Sequence, residues 1–278
     1  MKRKRKVNLI VVMSAVVLPL FSGSCFGAII FSEDWSSHSA DGQVAGTNGW
    51  TGGYININSS SQFGGANVLD GNDSTGGADA MTTTQRALDN PLSGSGQIYT
   101  LSFDIYAQTT GNPSGNTFMG FGSSSSEDNF LHSGVGWGAV YEGSASNSTE
   151  YSFDARSITG DPNNYVWVEG PFDQIVNLRI IIDGIAGEVY GQYDFGNGLV
   201  DTQRYALTAA QIGSIDEVVS FTDHRSAISG DPWSSTPFGS RYSGAQWTNI
   251  QVSAIPEPSG ILYLGLFFGA LVLKRRRS

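Results

Sequence analysis

Residues 98–107 read Ile-Tyr-Thr-Leu-Ser-Phe-Asp-Ile-Tyr-Ala, and this run restricts the fold more than any other stretch of the chain. Leu101, Phe103, Ile105 and Ala107 alternate with Thr100, Ser102, Asp104 and Tyr106. Successive side chains of a strand point to opposite faces, so a period of two makes one face apolar and turns it inward. Residues 175–183 repeat the pattern, with Val176, Leu178, Ile180 and Ile182 on one face. Both runs predict β-strands packed on one side.

Further strands are predicted at 28–31, 137–141, 165–169, 188–195, 218–221 and 246–252, and the stretch 36–77 reads as short strands joined by long loops. Residues 188–195 return against 175–183 through the turn that Asp183-Gly184 begins. Residues 117–122 are expected to pair back on 98–107 as a hairpin, across the Gly/Asn/Pro-rich turn 110–115. One helical turn is expected at 207–212, with Thr208 as its cap. The chain holds 36 glycines, and few segments carry a helical period. Its 12% aromatic content argues against disorder and for a packed core. Strands at roughly ten-residue spacing fit a β-sandwich.

The two ends have a different character. Lys2, Arg3, Lys4, Arg5 and Lys6 precede an apolar run, 7–21, and a zone of small residues ending at Gly27-Ala28. That order is a secretory signal peptide, removed by signal peptidase, and assigns residues 1–27 to it. Cys25, the one cysteine, falls near the cleavage zone. A lipoprotein signal would also place a cysteine there, usually after a Leu three residues earlier, where this chain has Ser22. Cleavage after Cys25 leaves no thiol, and so no disulfide, thiol chemistry or cysteine-bound metal. At the other end an apolar run, 261–273, is followed by Lys274, Arg275, Arg276 and Arg277. As a helix, the 13 residues of this run would rise about 20 Å against about 30 Å of hydrocarbon, short for a span but extended by snorkelling cations. The four cations act as a membrane stop that stays in the cytoplasm.

Pro256-Glu257-Pro258, the apolar run and the terminal arginine cluster, in that order, closely resemble the PEP-CTERM sorting signal over residues 255–278. The resemblance implies recognition by an exosortase of a Gram-negative-type bacterium that makes exopolysaccharide, with cleavage near Pro256, Glu257 and Pro258. It implies membrane anchoring before processing, then a place at the cell surface or in the extracellular matrix. Within 28–254, the strands 177–184, 188–193 and 245–252 resemble a concanavalin A-like, laminin-G-like jelly roll. The expectation is one all-β jelly-roll β-sandwich ectodomain, residues 28–254, between a signal helix and a C-terminal transmembrane helix.

Composition narrows the partners. Without the two basic ends, six arginines and no lysine stand against 24 carboxylates, a net charge of −18. Such a domain repels polyanions, which excludes nucleic acid and leaves neutral polysaccharide and cations open.

No residue pattern carries a catalytic site. A glycosidase needs two carboxylates at a fixed separation. The strand pattern Glu-x-Asp-x-x-Glu, which the hydrolases of this fold usually show, is absent. Glu33-Asp34 and Asp216-Glu217 are adjacent pairs whose side chains diverge, and Asp104 stands alone on its polar face. No Gly-x-Ser-x-Gly elbow or zinc spacing accompanies His38, His132 and His224. The chain is therefore read as non-enzymatic, with extracellular polysaccharide as its partner. The alternatives are a structural or adhesive coat protein without a specific ligand, and a polysaccharide-active hydrolase. Trp35, Trp50, Trp137, Trp167, Trp233 and Trp247 are candidate sugar platforms, with Trp233 the one expected to be exposed and Trp247 expected in the core. No cofactor is required. Calcium is the one ion the residues favour, at Asp70-Gly71-Asn72-Asp73-Ser74 with Asp79 nearby, read as a Gly-rich loop. The likeness of 156–162 to 225–232 reads as two Gly-Asp-Pro turns.

Overall fold

The computed structural model describes residues 27–40, 42–52, 55–74, 81–107, 116–124, 134–141, 149–171, 173–223 and 245–256. Its strands, in chain order, are β1 (Ala28–Glu33), β2 (Gly42–Gln43), β3 (Trp50–Gly52), β4 (Ile55–Ser60), β5 (Ala66–Ser74), β6 (Met81–Ala87), β7 (Gln97–Ala107), β8 (Asn116–Gly122) and β9 (Val135–Tyr141). There follow β10 (Thr149–Asp154), β11 (Tyr165–Gly170), β12 (Ile175–Asp183), β13 (Glu188–Asp194), β14 (Val200–Asp201), β15 (Tyr205–Ala206), β16 (Glu217–Asp223) and β17 (Ala245–Pro256). Two short helices, α1 (Arg156–Thr159) and α2 (Ala209–Gly213), complete the set.

All pairings are antiparallel, and they make two sheets. The larger runs β14-β13-β12-β7-β17-β5-β4-β2, with β1 added to β17 and β15 to β13; the smaller runs β11-β10-β9-β8-β16-β6-β3. The alternation in β7 and β12 works as the sequence predicts. Leu101, Phe103, Ile105, Val176, Leu178, Ile180 and Ile182 are buried against Met119, Phe121, Val135, Trp137, Tyr151 and Phe153 of the facing sheet. Full burial of such side chains stabilises by about 1.5–3 kcal/mol each. Gly191 shows how close the sheets lie, since a Cβ there would sit 2.4 Å from the Trp137 ring.

Three expectations change. Residues 117–122 do not pair with 98–107: β8 lies in the other sheet between β9 and β16, while β7 pairs with β12 and β17. The apolar face of β7 is covered by a second layer, so the chain crosses between layers after Ala107 instead of folding back in one. Residues 70–74 are not a loop but the end of strand β5, with Asp70 opposite Gln246. The last strand reaches Pro256, into the Pro-Glu-Pro motif, where the sequence puts the end of the domain at residue 254. The hairpin of β12 and β13 and the helix at 209–213 form as expected. In α2, Thr208 Oγ1 accepts from Gln211 N at 3.2 Å and Gln211 Oε1 accepts from Thr208 N at 2.8 Å. Residues 1–26 of the expected signal peptide 1–27, and residues 257–278 with the expected transmembrane run, lie outside the described residues. Among the described residues no helix is long and apolar enough to cross a membrane.

At the end of β10, Asp154 is buried and held by Arg156, whose Nε donates at 2.7 Å and whose guanidinium NH2 lies at 2.6 Å. Burial pushes the Asp154 carboxyl above its ordinary value, and Arg156 opposes the shift. Tyr205, stacked on Phe153, has a buried hydroxyl with no hydrogen-bond partner among the described residues. Arg156→Ala leaves a buried carboxylate uncompensated and should cost about 3–5 kcal/mol in urea unfolding. Tyr205→Phe removes an unpaired hydroxyl and should fall within about 0.5 kcal/mol of the parent or exceed it. A cost below about 1 kcal/mol for the arginine would mean that the pair is not what holds this corner.

Candidate functional site

The densest polar structure of the sandwich lies where β1 ends. Glu33, the last residue of that strand, is 7% exposed. Its Oε1 accepts from the Trp35 backbone N–H at 2.9 Å and its Oε2 from the Trp50 indole at 3.1 Å. One carboxylate thus ties β1, the loop after it and β3 together. Trp35 is buried with φ at 63°, a left-handed conformation that costs a bulky residue about 1–3 kcal/mol. Its surroundings enforce it. The indole donates to the Trp247 carbonyl at 3.0 Å, and the ring lies 5.0 Å from that of Trp50. His38 is 6% exposed, edge-on to Trp35 at 5.2 Å, with Nδ1 3.9 Å from Glu33 Oε1. Asn67 holds the loop from outside, donating to the His38 carbonyl at 2.8 Å.

Two more strained residues face this loop. Asn249, at φ 53°, makes the bulge in β17 between Thr248 and Gln251, and its Nδ2 donates to Asp104 Oδ2 at 2.7 Å. Asn48, at φ 51°, donates to Ser37 Oγ at 2.6 Å. Asparagine tolerates this region better than most residues. Two of the four described non-glycine residues with positive φ, Asn48 and Asn249, therefore border one place, and a third, Trp35, is buried in the loop beside it. That place is a cleft of about 620 Å³ lined by Phe31, Glu33, Asp34, Ser37, Asn48, Arg86, Asn249 and Gln251, among others. Beside it is a groove of about 410 Å³ lined by Asp34, Ser36, Phe63, Asn67, Thr248 and Asn249. Asp34 and Asn249 border both, so the two form one furrow. Asp34 is exposed, and the Ser36 hydroxyl and N–H, donating to its Oδ1 at 2.6 and 2.9 Å, hold its carboxyl below the ordinary value. Arg86 lies 5.6 Å over the Phe31 ring, and Gly49 leaves room for it: a Cβ there would be 3.1 Å from the guanidinium.

The sequence placed its candidates elsewhere. Trp35, Trp50, Trp137 and Trp247 are fully buried, so these four are core and not sugar platforms, as expected for Trp247 alone. Trp167 is half-buried on β11. Trp233, Glu257, Pro258, Lys274, Arg275, Arg276 and Arg277 lie outside the described residues, as do Asp79 and the second Gly-Asp-Pro turn; Pro256 ends β17. Asp104 is joined by amides, from Asn249 and from Asn177 at 2.9 Å. Asp70 Oδ2 accepts from Asn58 at 3.2 Å and from Gln246 at 3.1 Å, the surroundings of a structural acceptor. Among the described residues no group of three His, Cys, Asp or Glu side chains gathers to hold a metal. Glu33, His38 and Asn249 were missed as a site because each gains its role from partners far along the chain.

Two carboxyls have raised values on the outer face of the smaller sheet, Asp154 and Glu217. Burial, with help from the Asp216 charge, pushes Glu217 up to about 7. Asp154 and Glu217 stand on β10 and β16, with β9 and β8 between them. Three strand spacings separate their backbones by about 14 Å, wider than the roughly 5–9.5 Å of a glycosidase pair.

Together these features define an all-β sandwich of two antiparallel sheets with a polar furrow at one end of its edge strand. No family model and no curated protein matches the chain in sequence. In structure it is similar to the endo-1,3-beta-glucanase from Streptomyces sioyaensis, at TM-score 0.50 and 12% identity over 82% of this chain and 96% of that one. It is also similar to the lectin from Bauhinia forficata in complex with GalNAc, at TM-score 0.48 and 11% identity over 83% of this chain and 100% of that one. The likeness to the glucanase, at so low an identity, is one of fold.

Two outcomes follow. Glu33→Ala leaves two buried donors unpaired and should cost about 2–5 kcal/mol in chemical unfolding, while Glu33→Gln, which keeps an acceptor, should cost less. Glu217 binds its proton more tightly folded than unfolded. Its contribution to stability is therefore full below about pH 4.5 and lost as pH rises through about 7. The unfolding midpoint should fall between pH 5 and pH 7.5, and Glu217→Gln should flatten that slope.

Proposed function

We propose that this chain is an exported cell-surface protein whose sandwich binds neutral extracellular polysaccharide without cleaving it. Signal peptidase removes residues 1–27. Lys274, Arg275, Arg276 and Arg277 hold the C-terminal helix in the membrane until an exosortase acts near Pro256, Glu257 and Pro258. The mature domain then belongs to the cell surface or matrix of a Gram-negative-type bacterium. The observation that carries the binding reading is the furrow. Asp34 and Asn249 offer fixed acceptors, Asn48 and Gln251 add amides, and Phe63 adds a half-buried ring. Sugars present hydroxyls and apolar ring faces, and such a set of carboxylate, amide and aromatic groups suits both. The charge of −18 favours a neutral glycan over an acidic one. The wide separation of Asp154 and Glu217 speaks against hydrolysis. Calcium, should it act, belongs near Asp70 and Asp79 and not in the furrow.

The test is titration calorimetry of the protein with the producing cell's extracellular polysaccharide, with and without a chelator. Asn249→Gly keeps the backbone conformation but removes the amide, and Asp34→Asn keeps the turn but removes the charge. Each should weaken binding about 10-fold or more, the loss expected for one hydrogen bond to a charged or fixed polar group. Loss with Trp233→Ala alone would move the site to the 224–244 segment. Chelator sensitivity would establish an ion. Binding to no neutral glycan would sink the carbohydrate reading and leave a structural coat protein.

A further inference from the structure

Both ends of the domain leave from one place. Ala28, which opens β1, pairs with Ala254, and β17 continues to Pro256 opposite Gln97. The β12–β13 turn closes at the same end, with Gly184 N donating to the Gln97 carbonyl at 2.8 Å. Four exposed isoleucines gather there: Ile29 at 61%, Ile185 at 46%, Ile30 at 38% and Ile255 at 36%. Ile29 pairs with Ser253, so it shares the outer face of the sheet with Ile255. Gly27 lies against Ile255, where a Cβ would come within 2.9 Å of Cγ1. The carboxylate of the turn, Asp183, points into it and accepts from Ile185 and Ala186 N–H at 2.9 and 2.8 Å.

The covalent chain limits how far this pole can stand from the apolar run. Glu257, Pro258, Ser259 and Gly260 alone separate Pro256 from Ile261. Whatever their conformation, five residue steps reach at most about 18 Å. The headgroup layer on one side of a bilayer is itself roughly 5–8 Å thick. The furrow sits at the far end of β1, six residues beyond Ala28, or about 20 Å further out.

We propose that this pole is a membrane-facing surface. While residues 261–273 are inserted, Ile29, Ile30, Ile185 and Ile255 rest in the interfacial layer of the bilayer, and the furrow faces away from it. The proposal rests on reading 261–273 as a membrane-inserted segment. The attraction is apolar. Among the described residues the cation at this end, Arg204, is bridged to Glu188 and Asp201, and cleavage adds one terminal ammonium at Ala28, so the contact should change little with anionic lipid or salt.

The experiment uses residues 28–278, the chain that signal peptidase leaves, reconstituted in phosphatidylcholine vesicles that contain a headgroup-linked nitroxide lipid. A single fluorophore is placed at Ser253→Cys on the pole or at Asn48→Cys on the furrow rim. The chain should float with the vesicles, and the pole probe should be quenched at least threefold more than the rim probe, at low and high salt alike. Ile29→Ser with Ile185→Ser should bring pole quenching down toward the rim value without loss of flotation. Equal quenching at both sites in a floating chain overturns the proposal and leaves the membrane reading intact. Absence of flotation, or flotation that survives Leu264→Asp with Leu266→Asp, overturns the membrane reading and the proposal with it.

Discussion

β17 occupies the centre of the larger sheet although it is the last strand of the chain. It pairs with β7 along one edge, and its other edge is shared end to end by β5 and β1. The bulge at Asn249 falls where the strand passes from β5 to β1. The sheet therefore cannot close until residues 245–256 arrive, and both ends of the domain are committed in the same step. Contacts between the two termini span most of the sequence, and closing such loops makes folding slow. Under the export proposed above, this order would leave the N-terminal strand without a stable partner until the end has been delivered.

The second constraint is charge. A domain with 24 carboxylates and six arginines has little cation to spare, and the four described arginines are all engaged locally. Arg156 neutralises a buried aspartate, Arg204 bridges Glu188 and Asp201 over the Tyr190 ring, Arg179 binds Asn177, and Arg86 covers Phe31. Tyr190 is thereby capped by a guanidinium and is no open platform. Elsewhere, amides do the work of cations. Among the described residues, Asp104 and Asp70 each accept hydrogen bonds from asparagine or glutamine side chains. Stability without disulfides then falls to the apolar core and to such networks, as a domain of this size permits.

Much of the architecture was legible along the chain because it depends on local period. The alternation in 98–107 and 175–183, the hairpin of β12 and β13, the Thr208 cap and the burial of Trp247 are each written within about ten residues. What failed was pairing across the chain. The sequence at 117–122 looks like a hairpin partner because it follows a turn, yet its strand joins the other layer. Asp70 resembled an ion ligand because oxygens cluster near it in sequence, while its partners Asn58 and Gln246 come from two other strands. Trp35, Trp50 and Trp137 were candidate platforms, and their burial follows from surfaces that only the packed sheets create.

The sequence by itself determined that the chain makes half-buried strands and carries a strong excess of carboxylate between basic-apolar segments at both ends, because period, charge and composition need no third dimension. The tertiary structure alone decided which strands share a sheet, that both ends leave from one apolar pole, and that Glu33, Asn48 and Asn249 meet at one furrow. Those residues stand up to 216 positions apart. They are brought together by a carboxylate whose donors come from another strand and a loop, and by a bulge that exists only when β17 is paired.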